Sequence, residues 1–378
     1  MKSIMKILHI ASFSGNIGDE ANHLGFRKKF KENICDDVEF HEIEIRHFYQ
    51  SWGLEHFDDN FAIEANKYDL IIFGGGNFFE ICWDYSSNAT TIDITTKILE
   101  KIHVPILFNA LGFDDGKGVC EDNVTKFGDF LNYLLEHPSK YLLSVRNDGS
   151  KKLLTKYYES KIVTQIHKVP DGGFFFKPDS NFHPIPNTKN NVGICLACDM
   201  DSIRFGNGYD RFLQQMSEFI NGIIKHDDKS VVFYPHIYSD IKIISDVLAL
   251  IKDIHRRNNV VVAPLLNTKN FGAHYLFESY KKCELIIGMR FHSNVCAIGN
   301  TIPTIGLTSY HKHGMLYEEL GMIERTVQSI DANLLDKINV LYKNTVDNSL
   351  DIRKQYEDIL VNLNNEIDSF HNRIKSWL

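Results

Sequence analysis

LIIGMRFHSNVCAIGNTIPTIGL, Leu285 to Leu307, holds a strand, a helix and a second strand in one line. Leu285–Gly288 is short and apolar, as expected of a strand buried on both faces. Arg290 and His292 stand at its end, and helical spacing then runs over residues 292–300. Pro303 cannot continue a helix, and Thr304–Gly306 reads as the next strand. Strands joined in this way lie parallel, because the helix carries the chain back to the edge where it began. Ligands bind outside the carboxyl ends of parallel strands. This stretch therefore puts a permanent cation and a titratable ring where such a sheet does its chemistry.

The same alternation extends outward from this unit. Upstream, strands are expected at Asn191–Leu196, Ser230–Tyr234 and Asn259–Val262, with helices near 208–226, 240–253 and 271–283. Before them stands PDGGFFFKPDSNFHPIPNTKNN, which holds four of the nine prolines and reads as a linker. The first half repeats the design. Strands are expected at Ile4–Ala11, Val38–Glu44, Leu70–Phe73, Pro105–Ala110 and Tyr141–Val145, alternating with helices near 17–31, 90–102, 121–137 and 148–158. Downstream of Leu307 the chain reads as helical at 312–321, 331–344 and 348–377. The fold class that follows is α/β, two doubly wound Rossmann-like domains facing across a cleft. The expected division is 1–170 for the N-terminal domain, 171–190 for the linker, 191–345 for the second domain and 346–378 for a C-terminal helix.

Length and composition agree with this reading. A chain of 378 residues is too long for one comfortable core. The formal charge of −8 excludes the basic excess of a general nucleic-acid binder while leaving room for a local cationic pocket. No stretch approaches the roughly 18 apolar residues of a membrane span, and the apolar N-terminus reads as a first strand rather than a leader. Seven cysteines are scattered, with Cys195 and Cys198 as the one C-x-x-C, so a reducing, cytoplasmic location is expected.

The strand ends hold the candidate site residues. After the first strand, SFSGNIGDEANHLGF offers Asn16 and Asp19 either as helix-capping residues or as contacts to a sugar hydroxyl. FGGGNFFE puts three glycines, Gly74 to Gly76, at the end of the strand Leu70–Phe73. They would open backbone N–H groups to a ligand or let another segment pass closely. Arg146, after Val145, is either a salt-bridge partner or an anion contact. In the second half His236 and Asp240 follow a strand, and Ser309, Tyr310, His311, Lys312 and His313 follow another. Arg290 is too costly to bury alone, so it pairs with a carboxylate or awaits a ligand anion.

In their order along the chain these pieces resemble the polysaccharide pyruvyl transferase family. The resemblance runs through GNIGDEA, DLIIFGGGNFFE, SVRNDGSKKLL, PDGGFFF and FYPH to IIGMRFHSNVCAIGNTIPTIGLTSYHKHGMLYEELG. It implies a GT-B-like fold whose C-terminal helix packs back on the first domain. It also implies phosphoenolpyruvate as donor, a sugar of a surface polysaccharide or of its lipid-linked precursor as acceptor, and a pyruvate ketal as product. A peripheral contact with polysaccharide-assembly machinery at the inner membrane belongs to the same implication. By motif position Arg290 and His292 correspond to the donor-site and catalytic pair, Arg146 to a second anion contact and Lys312 to the lysine after the last strand. The loop NALGFDDGKGV departs from the family's pattern.

The residue chemistry agrees with that implication. Phosphoenolpyruvate carries a carboxylate and a phosphate on three carbons, so its site needs several fixed cations, arginine above all. Arg290, Arg146, Lys312, His236, Ser309 and Tyr310 form the expected donor set, with His292 and Arg290 catalytic. Asn16, Asp19, Gly75, Gly76 and Asn77 form the expected acceptor set. No carboxylate–histidine group has metal-ligand spacing, so neither a metal nor another cofactor is expected. Two other readings remain open on the sequence: a GT-B glycosyltransferase using a nucleotide sugar, and a non-catalytic sugar- or anion-binding subunit.

Overall fold

The computed structural model describes residues 4–181, 190–269 and 271–378. The chain divides into two compact units. Unit 1 comprises Met1–Ser14, Phe26–Gly172 and Leu363–Leu378, and unit 2 comprises Gly15–Gly25 and Gly173–Asn362.

Unit 1 is built on a parallel sheet of β1 (Met5–Ala11), β2 (Val38–Glu44), β3 (Leu70–Glu80), β4 (Ile106–Asp114), β5 (Tyr141–Arg146) and β6 (His167–Val169). Its order is β2-β1-β3-β4-β5-β6. Every residue of β4 is buried, as expected where helices cover both faces of a parallel sheet. Unit 2 repeats the plan with β7 (Asn191–Cys195), β8 (Ser230–Phe233), β9 (Val260–Val262), β10 (Cys283–Gly288), β11 (Thr304–Thr308) and β12 (Thr326–Gln328), in the order β12-β11-β10-β7-β8-β9. In both sheets the chain leaves its first strand in one direction and later resumes on the other side. This makes a switch point between β1 and β3 and another between β7 and β10, the positions where such folds take their ligands.

The two edge strands β6 and β12 were not expected. Each is three residues long, too short to leave a period-2 signature. Strand β3 is a second difference. Instead of stopping at Phe73 it runs to Glu80, with Gly74 and Gly76 paired to Asn109 and Leu111 of β4. The ladder slips between Gly76 and Phe79, so the strand is irregular but continuous. A side chain at Gly74 would collide with the Asn109 backbone. The glycines therefore admit a close neighbour and do not form an open loop.

Residues 15–25, assigned above to the first domain, cluster with unit 2. The helix Ile17–Asn33 is shared between the units. Its first turns are fixed by unit 2: the Ile17 N–H donates to the His236 carbonyl at 3.2 Å, and the Ala273 N–H donates to Glu20 Oε2 at 2.8 Å. Ile17 and Ala21 are buried in one apolar cluster with Val232, Tyr234, Phe277 and Tyr280.

The C-terminal helix Ser349–Trp377 is likewise shared. Tyr356 Oη lies 2.8 Å from Thr304 Oγ1 in unit 2, and in unit 1 Leu363, Ile367, Phe370 and Ile374 are buried. Of the expected linker, residues 182–189 lie outside the described residues. Among the described residues no helix is long and apolar enough to cross a membrane.

Candidate active site

The carboxyl ends of β7, β8, β10 and β11 carry one connected polar cluster in unit 2. Its frame is the turn between β10 and the helix Phe291–Gly299, for which Arg290 is the N-cap in extended conformation. Ser293 Oγ donates to the Arg290 carbonyl at 2.6 Å, and Asn294 Nδ2 donates to the carbonyls of Gly288 and Arg290 at 3.0 and 2.9 Å. Asn294 Oδ1 is in turn 2.9 Å from the buried Tyr317 hydroxyl. The carbonyls at the strand's end are thus satisfied by side chains of the helix that follows. A buried turn without such partners would be costly, and this one holds Arg290 and His292 rigidly.

Arg290 is bound by two carboxylates. Its Nε donates to Asp240 Oδ2 at 2.7 Å, and its Nη2 donates to Asp199 Oδ1 at 2.7 Å and also to Asp240 Oδ1. Among the described residues none engages Nη1. Asp240 stands at the start of the helix after β8, fully buried, and also accepts the His236 and Ile237 N–H groups. Asp199, after β7, also binds Arg204. Arg204 Nη2 lies 3.2 Å from Asp199 Oδ2, Nε donates to the Asp199 carbonyl at 2.7 Å, and Nη1 donates to Ser309 Oγ at 2.8 Å. Burial would raise the Asp199 pKa, but the Arg290 and Arg204 charges outweigh it and hold the carboxyl below its ordinary range. Burial likewise opposes the charge on Arg290, and Asp240 and Asp199 overcome it, leaving the guanidinium more firmly protonated than usual. Two fixed cations and two fixed anions alternate here as Asp240–Arg290–Asp199–Arg204.

Imidazoles surround this chain. His236 is fully buried with Nε2 at 2.8 Å from the Tyr280 hydroxyl, and its Nδ1 has no partner among the described residues. Burial pushes its pKa far down, assisted by the charges of Arg290 and His292, so it is neutral at pH 7. His313 is in the same state, because burial acts first and Arg204 and Arg290 add to it; its Nδ1 also has no partner among the described residues. Lys312 and Ser309 are buried after β11, and Tyr310 caps the next helix. His292 lies with Nδ1 3.7 Å from Asp19 Oδ1. Gly18 lies flush against that ring, and a Cβ placed there would be 2.6 Å from the Cβ of His292.

Of the expected residues, unit 2 therefore brings together Arg290, His292, His236, Ser309, Tyr310, Lys312 and Asp19. Asn16 serves the helix start, its Oδ1 accepting the Gly18 N–H at 3.0 Å. Arg146 belongs to unit 1, where it is buried between two fully buried carboxylates. Its Nε donates to Asp148 Oδ2 at 2.9 Å and its Nη1 donates to Asp171 Oδ2 at 3.3 Å. Asn77, also in unit 1, donates through Nδ2 to Glu80 Oε1 and Asp114 Oδ2, at 2.9 and 2.7 Å. Gly75 and Gly76 lie inside β3 and present no loop.

Asp199 and Arg204 were missed. The strand-end rule that selects Arg290 applies equally to the residues after β7, where the C-x-x-C is the more visible local signal. Burial pushes the Cys195 thiol up to about 12, and Cys198 Sγ donates to the Ser239 carbonyl at 3.0 Å, so neither behaves as a reactive thiolate.

A family model described as polysaccharide pyruvyl transferase matches residues 16–311 of the chain. No curated protein matches the sequence significantly. Among solved structures, a glycosyltransferase from Rickettsia africae is similar with a TM-score of 0.55 at 13% identity, over 98% of this chain and 97% of that one. A UDP-GlcNAc 2-epimerase from Neisseria meningitidis, bound to UDP-GlcNAc, is similar with a TM-score of 0.52 at 11% identity, over 95% and 99% of the two chains. At such identities the likeness is one of fold, that of two Rossmann-like domains in the GT-B class.

Proposed function

Because the chain belongs to the polysaccharide pyruvyl transferase family, we propose that this enzyme takes its pyruvyl group from phosphoenolpyruvate, sets it on a sugar as a ketal and releases phosphate. The observation that carries the reading is the cluster of Arg204 and Arg290 with His292, together with the buried Lys312, after the carboxyl ends of three strands of one unit. A small dianionic or trianionic molecule needs several cations that are already in position. The alternating chain with Asp199 and Asp240 supplies that order, since neither guanidinium can turn away without breaking charged hydrogen bonds. Arg290 Nη1 and the Lys312 ammonium are assigned to the phosphate and carboxylate, and Arg204 and Ser309 to their support.

The reaction adds two hydroxyl oxygens to C2 of the enolpyruvyl group. A proton reaches the methylene carbon from His292, positive charge develops at C2, and a sugar hydroxyl attacks there and gives up its proton. The second hydroxyl then replaces phosphate at C2, and its proton leaves with the phosphate. One molecule of phosphoenolpyruvate and one diol become one ketal and one inorganic phosphate, with no change of oxidation state. His292 is the general acid–base residue, and Asp19, facing its Nδ1, favours the ring orientation that exposes Nε2. Asn77, within β3, is assigned to the acceptor.

The test is incubation of the purified protein with phosphoenolpyruvate and a panel of free, nucleotide-linked and lipid-linked sugars. Phosphate release and the mass gain of one ketal-linked pyruvate should appear together. A parallel melting experiment should show stabilisation by phosphoenolpyruvate. Stabilisation by UDP instead, with no phosphate released from phosphoenolpyruvate, would overturn the reading in favour of nucleotide-sugar chemistry.

A further inference from the structure

An open cavity of about 670 Å³ lies in unit 1 between the edge strand β6 and the end of the C-terminal helix. That is the size of a small-molecule site. Asn365, Ser369 and Arg373 line the helical wall at four-residue intervals, so their side chains follow one another along a single face. His167 and Lys168 line the strand wall. Both walls are fixed. The helix is tied to the rest of unit 1 by Asn33 Nδ2, which donates to Asp368 Oδ1 at 2.6 Å, and by Trp377 Nε1, which donates to the Pro138 carbonyl at 2.9 Å. On the other wall Lys151 Nζ donates to the Ile166 carbonyl at 2.8 Å, just before β6, and the His167 ring packs on the buried Phe370 with centroids 5.4 Å apart. Lys168, Asn365, Ser369 and Arg373 are exposed, and among the described residues none pairs with the Arg373 guanidinium. Burial lowers the His167 pKa, and the Arg373 and Lys151 charges lower it further. Lys151 is itself lowered by burial and then by Lys168. Four basic groups thus repel one another in a small region, and Glu366 is the one carboxylate that lines the cavity.

We propose that this cavity binds a phosphate monoester, with Arg373 and Lys168 holding the phosphate from the two walls and Ser369 and Asn365 meeting the remainder of the molecule. The inference concerns unit 1 alone and goes beyond the pyruvyl transferase reading, whose donor cluster is in unit 2. Like charges gathered in one place repel, and a dianion set between them turns the repulsion into attraction. A phosphate monoester fits better than a carboxylate. It carries nearly two charges at neutral pH, and its terminal oxygens can be shared between a guanidinium, which grips two, and an ammonium. The cavity is far larger than one phosphate group, so it has room for an organic remainder beside the Ser369 hydroxyl and the Asn365 amide, each both donor and acceptor. Glu366 limits the charge that is accepted. Set against Lys168 and Arg373 it leaves the lining with one net positive charge, so a ligand with a carboxylate next to its phosphate, phosphoenolpyruvate included, is repelled. A lysine on an edge strand also discourages pairing with another strand, but that role accounts for neither Arg373 nor the cavity.

The experiment is an NMR titration of the full chain with glycerol 3-phosphate, observing the imidazole signal of His167, which is identified by its loss in His167→Gln. Glycerol 3-phosphate should move that signal saturably, glycerol should leave it in place, and sulfate and phosphoenolpyruvate should move it much less. Arg373→Ala and Lys168→Ala should each weaken the response by roughly tenfold, the scale of one charge-assisted hydrogen bond. Glu366→Gln should strengthen it and admit phosphoenolpyruvate. All three positions are exposed, so the melting temperature should hold as a control for folding. Phosphate release from phosphoenolpyruvate should be unchanged in Arg373→Ala. Phosphatidylcholine vesicles with and without phosphatidic acid, whose headgroup is also a phosphate monoester, separate the two sources. Co-sedimentation of the protein, but not of Arg373→Ala, with the phosphatidic acid vesicles alone assigns the ligand to a lipid surface, and a His167 shift without co-sedimentation assigns it to a soluble ester. No response to either probe, a response unchanged in Arg373→Ala, or sulfate binding as tightly as glycerol 3-phosphate, an adventitious ion only, would each overturn the site. A protein that binds glycerol 3-phosphate at His167 without turning over phosphoenolpyruvate keeps the site and loses the reaction, and the converse result does the opposite.

Discussion

His292 and Gly18 form the tightest pair of the candidate site, although 274 positions separate them. Removing the imidazole in His292→Ala should lower transfer by the roughly 10²–10⁴-fold typical of a general acid–base group, with stabilisation by phosphoenolpyruvate retained. Gly18→Ala should reach a comparable loss by a different route. The added methyl overlaps the His292 side chain, so the ring must leave its place beside Asp19 while the fold persists. Full activity in Gly18→Ala, measured as phosphate release, would show that the position of His292 is not needed. A second test concerns Arg290. In Asp240→Asn the guanidinium keeps only Asp199 as its charged partner, and an incompletely paired buried charge is costly. A loss of about 3 kcal/mol is expected in denaturant unfolding, together with weaker phosphoenolpyruvate binding. At this scale the sequence pointed to Arg290 and His292 because a charge at the end of an apolar run is visible locally. It did not show the pairing: Asp240 and Asp199 also follow strands, but they lie 50 and 91 positions away and nothing local ties them to Arg290.

The C-terminal helix shows how an element gains its stability from two places. Its helical pattern from residue 348 onward was readable, but the polar residues on its buried face were not distinguishable from solvated ones. Tyr356 and His371 are both fully buried. Tyr356→Phe removes the hydroxyl that meets the N–H and Oγ1 of Thr304, at 3.2 and 2.8 Å, and should cost on the order of 1 kcal/mol in thermal or denaturant unfolding. His371 meets Phe30 edge to face, with ring centroids 6.4 Å apart, and accepts from Asn33 Nδ2 at 3.1 Å. Burial lowers its pKa to about 4; Asp368 opposes the shift, while Lys29 and Lys375 add to it. The unfolded chain binds the proton near pH 6.5. Above that value the ring is neutral in both states and the full stability is present. As pH falls from 6.5 to 4 only the unfolded chain is protonated, so stability drains away, and below 4 the loss levels off. The total is roughly 3 kcal/mol. His371→Gln should flatten this part of the stability profile measured between pH 7 and pH 4, and an unchanged slope would remove His371 as its cause. Strand β3 carries the opposite lesson. Three glycines in a row read as the end of a strand, yet close packing against β4 turned them into its interior.

For the whole molecule, the donor assignment predicts a ligand footprint in hydrogen exchange confined to unit 2. Phosphoenolpyruvate should slow exchange at residues 197–200, 236–240, 289–293 and 309–313 of unit 2. Protection by phosphoenolpyruvate confined to unit 1 would contradict the donor assignment. By itself the sequence determined the α/β class, the two sets of parallel strands and most helices, because hydrophobic period and glycine–proline punctuation are properties of neighbouring residues. It also determined that charge would gather at the strand ends, since topology puts those ends together wherever strands are parallel. Only the tertiary structure decided that residues 15–25 cluster with the second unit, that Arg290 is held between Asp199 and Asp240, and that Arg204 joins them. Each of those outcomes is a pairing across tens to hundreds of positions. The cost of leaving a buried charge or backbone group alone demands that a partner exist, but it says nothing of which residue the packed chain will supply.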